Sequence, residues 1–245
     1  KHIMRKRILI TGGAGFIGVN LAEHLISCKD NYVVIYDNLS RKGVENNLKY
    51  LLSCGYKNLK FIKGDVRDYK KLKEVVRDCG EVYHLAAQVA VTSSVEDPVE
   101  DFEINALGTL YLLEAIRNNS HKSIFIFAST NKVYGELKHL KLKEGKTRYI
   151  LQEKKKGVSE EENLDFHSPY GCSKGTADQY VRDYYRIYGL KTVVFRQSCI
   201  YGQHQYGNED QGWVAHFIIK SLLDKKINIY GDGKQVRDLL EVQDL

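Results

Sequence analysis

A chain of 245 residues, 43% hydrophobic and 28% charged, has the length of one generous domain or one and a half small ones, and a globular rather than disordered composition; 20 Gly beside only 2 Pro exclude collagen-like and proline-rich classes. The formal charge of +6 is spread along the chain among 31 acids, which suits small anionic ligands and points to neither nucleic acid nor a membrane surface. No apolar run nears the roughly 18 residues of a membrane span, the basic start leads into too short an apolar stretch for a signal peptide, and Cys28, Cys54, Cys79, Cys172 and Cys199 form no C-x-x-C pair, so free thiols in a cytoplasmic protein without metal are expected.

In chain order, short β-branched or aromatic runs alternate with helical patterns. Strands are predicted over 7–10, 32–36, 59–62, 82–85, 124–128 and 192–195, and helices over 16–27, 69–77, 102–117 and 173–188. This alternation implies right-handed crossovers and an α/β fold, a doubly wound parallel sheet with helices on both faces. Residues 136–165 break the rhythm as a long charged loop, a length that is usually functional or mobile; its 153–156 run reads as solvated. After residue 195 the pattern fades into turns at Gly202, Gly207 and Gly231. Residues 1–195 are therefore expected to form the main domain, and 196–245 the start of a smaller substrate-binding portion interleaved with it. The end at Leu245, just after a strand-like run, suggests a fragment, and Lys1 to Met4 reads as an extraneous leader.

The first strand runs into T-G-G-A-G-F-I-G at Thr11 to Gly18, which opens the first helix. Gly12, Gly15 and Gly18 permit a tight turn, close backbone approach to a pyrophosphate and close helix packing, and the N–H groups around Phe16 and Ile17 face the anion at the helix N-terminus. Asp37 follows Gly18 by 19 residues, at the end of the second strand, where a carboxylate accepts from ribose hydroxyls and repels a 2′-phosphate. This Rossmann-type arrangement favours NAD over NADP, a preference that nearby Arg41 tempers.

Tyr170 and Lys174 form Y-x-x-x-K, and on a helix they share one face. The ammonium would stabilise the phenolate of a tyrosine acting as base, and Lys174 could also hold a nicotinamide ribose. Thr130 lies just past the fifth predicted strand, where parallel strands meet their ligands.

Together these segments resemble the extended, sugar-nucleotide-modifying branch of the short-chain dehydrogenase/reductase superfamily. The likeness spans essentially the whole chain: the glycine motif, Asp37-Asn38-Leu39-Ser40, Gly64-Asp65-Val66, His84-Leu85-Ala86-Ala87, Asn105, Thr130, the Tyr170/Lys174 pair and Val236-Arg237-Asp238. It implies Thr130, Tyr170 and Lys174 as the catalytic set. It implies NAD contacts from the glycine turn, Asp37, Asn38, Ser40, Arg41, Asp65, Val66, Leu85, Ala86, Ala87, Asn105, Ser129 and Gln197, as well as from Tyr170 and Lys174. It implies nucleotide-sugar contacts from Gln88, Thr130, Asn131, Trp213 and Arg237, and subunit pairing through the helices predicted at 102–117 and 173–188.

Sugar-nucleotide 4,6-dehydratases of this branch carry Thr-Asp-Glu where this chain has Thr130-Asn131-Lys132. An amide and an ammonium cannot supply the carboxylate chemistry of water elimination, which leaves an epimerase or a reductase. Residues 129–135, 164–175, 210–214, 233–238 and 88–90 resemble epimerases that invert C2 of CDP-linked dideoxyhexoses for bacterial surface polysaccharide. Gln197, Cys199 and His204 to Tyr206 depart from that pattern. A UDP-hexose 4-epimerase and a non-catalytic NAD- or RNA-binding relative are the alternatives. Trp213 could stack on base or sugar or simply pack in the core, and Cys172 is expected to be a packing thiol.

Overall fold

The computed structural model describes residues 5–152 and 157–245; the 153–156 run and Lys1 to Met4 lie outside the described residues. Six parallel strands form the central sheet: β1 (Lys6–Thr11), β2 (Asn31–Asp37), β3 (Leu59–Lys63), β4 (Cys79–His84), β5 (Ile124–Thr130) and β8 (Lys191–Gln197), in the order β3-β2-β1-β4-β5-β8. Each coincides with an expected strand apart from its ends; Leu85 falls just beyond β4.

Alternation along the strands feeds two apolar layers. Leu9, Val34 and Phe125 pack with Leu112, Ile116 and Val181 on one face. Ile10, Val33 and Ile35 pack with Val19, Ile26 and Leu51 on the other. The first layer belongs to α6 (Gly108–Asn119) and α7 (Ser168–Tyr188), the second to α1 (Phe16–Ser27) and α2 (Val44–Ser53). The strand order reverses between β1 and β4, which opens a crevice at their C-terminal ends.

The structure departs from expectation in several places. The helix expected at 102–117 is three pieces: α5 (Pro98–Phe102), a π-type turn (Glu103–Leu107) and α6. A Cβ on Gly108 would stand 2.8 Å from Val66 Cγ2, so the chain presses against its neighbour there. α7 starts at Ser168 rather than 173, because Pro169 suits a first helical turn and no intrahelical N–H is lost there. The expected helix at 69–77 is α3 (Tyr69–Val75). The sequence reading missed α2 and α4 (Val91–Glu96). It also missed an antiparallel pair, β6 (Leu142–Glu144) with β7 (Tyr149–Leu151), inside the charged insertion. Beyond β8, β9 (Cys199–Tyr201) pairs in parallel with β10 (Leu239–Glu241), and α8 (Trp213–Leu222) lies between them. Among the described residues no helix is long and apolar enough to cross a membrane.

Candidate active site

The crevice is a cavity of about 800 Å³. Every residue assigned from the sequence lines it except Asn105 and Gln88.

The glycine turn closes the cofactor side. Gly12 has φ +69°, and a Cβ there would lie 2.6 Å from the Ala86 backbone nitrogen. A Cβ on Gly18 would lie 2.6 Å from Gly13 Cα, so only glycine lets α1 start this close to the loop. Asp37 ends β2, and its carboxylate accepts from the N–H groups of Ala14 (3.1 Å) and Leu39 (2.8 Å). Burial raises its pKa, and those two bonds and Arg41 draw it back. Asp37 is thus a buried carboxylate anchored to the glycine loop, with lone pairs to spare for ribose hydroxyls.

Asp65 is more fully committed. It accepts from Arg67 through two side-chain bonds (3.0 and 2.9 Å) and from Asn38 Nδ2 (2.9 Å). Led by the Arg67 bonds, these hold its carboxyl down at about 2.

Asn105 and Gln88 correct the expectation. Asn105 is buried in the π-type turn, where its Nδ2 donates to the Gln88 carbonyl, Asp101 Oδ1 and Ser173 Oγ (each 3.1 Å) and its Oδ1 accepts from Gln88 N (2.9 Å). Gln88 turns back on its own loop, with both side-chain atoms bonded to Ala90. Both shape the loop after β4 instead of facing the cavity. The three packed elements that use up their polar atoms are apparent only in three dimensions.

On the opposite wall, α7 presents Tyr170 and Lys174. Burial pushes the Tyr170 phenol up, and the Asp101 charge adds to this; Thr130 and Arg41 pull it back. Lys174 is buried, donates to the Ala128 carbonyl (2.6 Å) and lies 4.2 Å from the Phe127 ring centroid. Burial pushes its ammonium down to about 7, against the pull of Asp178 and Asp101. Arg41 is thus a second cation whose charge favours the Tyr170 phenolate, and Lys174, which lines the same cavity, uses one of its three N–H donors on a strand carbonyl. Arg41 also reaches across the cavity mouth, donating to Gln211 Oε1 (2.5 Å).

Thr130 ends β5 with its hydroxyl accepting from Lys132 N (3.3 Å). Asn131 donates to Ser198 Oγ (3.4 Å). Trp213 opens α8, 38% exposed, with its ring edge-on to Phe217 rather than sunk in the core. Arg237 bonds the Val236 carbonyl (3.1 Å) and forms no ion pair with Asp238 among the described residues. Cys172 is exposed, not the packing thiol expected from its helix position.

Sequence reasoning gave no role to Asp178, Arg196 and Asp101, which lie behind the residues that line the cavity. Asp178 carried a signal: it follows Lys174 by four residues on the same helix, the spacing that had linked Tyr170 to Lys174.

Residues 9–245 match the family described as GDP-mannose 4,6 dehydratase. The chain belongs to this family, a branch of the short-chain dehydrogenase/reductases. It is 48% identical to CDP-paratose 2-epimerase of Salmonella typhi, over 98% of this chain and 72% of that protein. Its fold is similar to that of UDP-N-acetylglucosamine 4-epimerase from Methanobrevibacter ruminantium M1 in complex with UDP-N-acetylmuramic acid: TM-score 0.82, 32% identity, 98% of this chain and 70% of the other. UDP-glucuronic acid 4-epimerase from Bacillus cereus, in complex with UDP-glucuronic acid and NAD, gives TM-score 0.80 at 30% identity, over 97% and 69%. The positions after Thr130 hold Asn131 and Lys132, both on the cavity wall. The lining carboxylates are Asp37, Asp65, Asp210 and Asp238, and none stands beside Thr130 in sequence.

Proposed function

We propose that this chain is an NAD-dependent nucleotide-sugar epimerase that inverts C2 of a CDP-linked dideoxyhexose. One observation carries the reading: Thr130 and Tyr170 line one side of the same cavity whose other side is a glycine turn that no larger residue could form. The 48% identity to a CDP-paratose 2-epimerase supports the nucleotide and the carbon.

The residues fit NAD. Amides of the Gly12 to Gly18 turn and the N-terminus of α1 would hold its pyrophosphate, and Asp37 its adenosine ribose. NAD, when bound there, would supply a hydride acceptor and donor for the sugar carbon. Tyr170 Oη takes the proton of the sugar hydroxyl and later gives it back. The Thr130 hydroxyl bonds that same sugar oxygen as alcohol and as ketone. Arg237, free of Asp238, offers a guanidinium fork to the substrate diphosphate. Inversion follows when the keto sugar turns over while its nucleotide stays anchored. The reaction is redox-neutral overall, so turnover needs no added NADH.

The same reading holds that residues 1–195 form the NAD unit and 196–245 the start of the sugar-nucleotide portion, in a cytoplasmic homo-oligomer. The free cysteines and the exposed Phe102 and Tyr180 support compartment and pairing respectively.

The test is proton NMR of CDP-paratose incubated with full-length protein, with UDP-glucose in a parallel tube. Formation of a C2-epimer mixture without added NADH sustains the proposal. Conversion of UDP-glucose alone would keep the catalytic residues and overturn substrate and carbon, in favour of a 4-epimerase like the structural neighbours.

A further inference from the structure

Behind the catalytic wall lies a charged cluster that the mechanism does not use. Tyr170, Lys174 and Asp178 follow one another at four-residue spacing along α7, so they share a face. Asp178 is fully buried. Its carboxylate accepts from Ser129 Oγ (2.7 Å), from Arg196 Nε and Nη2 (2.9 and 3.0 Å) and from Gln179 Nε2 (2.8 Å). Arg196 continues outward, donating through Nη1 to the Tyr134 hydroxyl (2.9 Å) with its guanidinium 5.2 Å from that ring's centroid. Ser129 and Arg196 sit directly opposite each other in the β5–β8 register, and the next pair is Thr130 with Gln197. The cluster therefore grips two neighbouring strands one residue before each delivers a side chain to the cavity.

Two charges taken out of water are poor value as stabilisers, because desolvation offsets most of their attraction; the best-attested use of such a pair is to fix geometry. Here the geometry fixed is that of β5 against α7. We propose that Asp178 is a positioning residue of the epimerase: with Arg196 it holds the strand ends bearing Ser129, Thr130 and Gln197 in register with the helix bearing Tyr170 and Lys174. The proposal rests on the functional reading above.

The same carboxylate has an electrostatic consequence. The groups around the Lys174 ammonium are Asp178 on its own helix, Asp101 from α5, His84 from β4 and the Phe127 ring from β5, with Arg196 of β8 behind Asp178. Asp178 and Asp101 are the anions that oppose the lowering of the Lys174 titration by burial. Removing the charge of Asp178 lowers the Lys174 titration further, whereas the loss of a merely structural contact leaves it unmoved.

Two readouts on full-length protein test this. The first is ε-15N-lysine NMR, with the Lys174 resonance assigned by its loss in Lys174→Arg. In Asp178→Asn its titration midpoint falls by about one unit or more. The second is turnover: kcat falls about 100-fold while KM stays within about threefold, the pattern of displaced rather than unbound reacting groups. A folded Asp178→Asn with an unmoved Lys174 midpoint and kcat within about threefold of the parent overturns the proposal. Should the lone buried guanidinium prevent folding, Asp178→Asn/Arg196→Gln removes both charges and is read the same way. Should that fail too, Tyr134→Phe decides: a kcat loss of about fivefold at constant KM sustains the proposal, and unchanged kcat overturns it. Because the NMR readout needs no substrate, a wild-type protein that fails to epimerise the CDP-sugar sinks the functional reading without deciding this one.

Discussion

His84 should make the stability of this fold pH-dependent in a range where its carboxylates contribute little. The ring is buried at the end of β4. Nδ1 faces Thr11 Oγ1 at 2.7 Å and Nε2 faces Thr109 Oγ1 at 2.9 Å. Thr109 spends its hydroxyl hydrogen on the Asn105 carbonyl (2.6 Å), so Nε2 must donate and Nδ1 accept. The neutral ring thus satisfies both neighbours, and a second proton would enter a dry site near the Lys174 charge. Burial first, then Lys174, push its pKa from 6.5 to about 3. Between those values the unfolded chain binds a proton that the folded chain refuses, so the stability is fully present above 6.5 and is lost as pH falls toward 3. At about 1.4 kcal/mol per unit, the full effect is capped near 5 kcal/mol, with about 2 kcal/mol gone by pH 5. Against a total of roughly 5–15 kcal/mol, that loss is measurable. Urea melts of wild type and His84→Gln at pH 7.5, 6.5, 5.5 and 5.0 measure it. The wild-type curve should fall by about 2 kcal/mol more than the variant's between pH 7.5 and 5. Parallel curves would refute the reasoning. A fall would also assign part of any acid loss of activity to folding rather than to Tyr170.

Gly18→Ala must push its Cβ against loop backbone 2.6 Å away; the purified protein should carry less NAD, by its absorbance ratio, and lose about 1–3 kcal/mol in urea melts. Asp37→Ala removes the carboxylate anchored to Ala14 and Leu39; calorimetric titration should show the preference for NAD over NADP falling about tenfold or more. Tyr170→Phe should lower turnover by about 10²–10⁴-fold in the NMR assay with bound NAD unchanged. Asn47 donates to the Ala14 carbonyl (3.1 Å) and to the His204 carbonyl (3.2 Å), tying the glycine loop to the segment after β9; Asn47→Ala should raise the NAD dissociation rate about tenfold in a stopped-flow exchange experiment.

What was legible in the sequence is what obeys local rules. The central strands announce themselves because both faces are buried, so their apolar runs are nearly continuous. The glycine turn announces itself because backbone approach leaves no choice of residue. Lys174 shows the limit of such reading. Its spacing from Tyr170 put both side chains on one helix face, but gave no sign of the 2.6 Å bond from the ammonium to a strand carbonyl. The i, i+4 rule fixes which helix face a side chain leaves from, not where four flexible carbons end. Arg41, read from the sequence as an NAD contact that tempers the preference for NAD, also places its charge where it favours the Tyr170 phenolate, across a cavity that sequence order hides.

The charged insertion shows the opposite failure, in which composition concealed order. Residues 136–165 have no apolar period to betray a fold, yet part of them forms β6 and β7. The hairpin is held by its contacts to a distant turn. Tyr149 donates its hydroxyl to Asp232 Oδ2 (2.6 Å) and its backbone N–H to the Lys234 carbonyl (3.0 Å), and Glu144 pairs with Lys234. Three residues past Lys234 comes Arg237, on the cavity wall. A strand pair this short is marginal alone, so hairpin and turn order each other. Exposed ion pairs and hydrogen bonds of this kind are individually weak, because solvent and salt screen them. They are too weak to fix a fold but strong enough to bias the orientation of a loop that carries one arginine. The physical reason the substrate side was less legible than the cofactor side follows from this contrast. NAD is met by backbone geometry, which glycine spacing records. The sugar nucleotide is met by loops whose positions depend on weak contacts between segments about 90 residues apart.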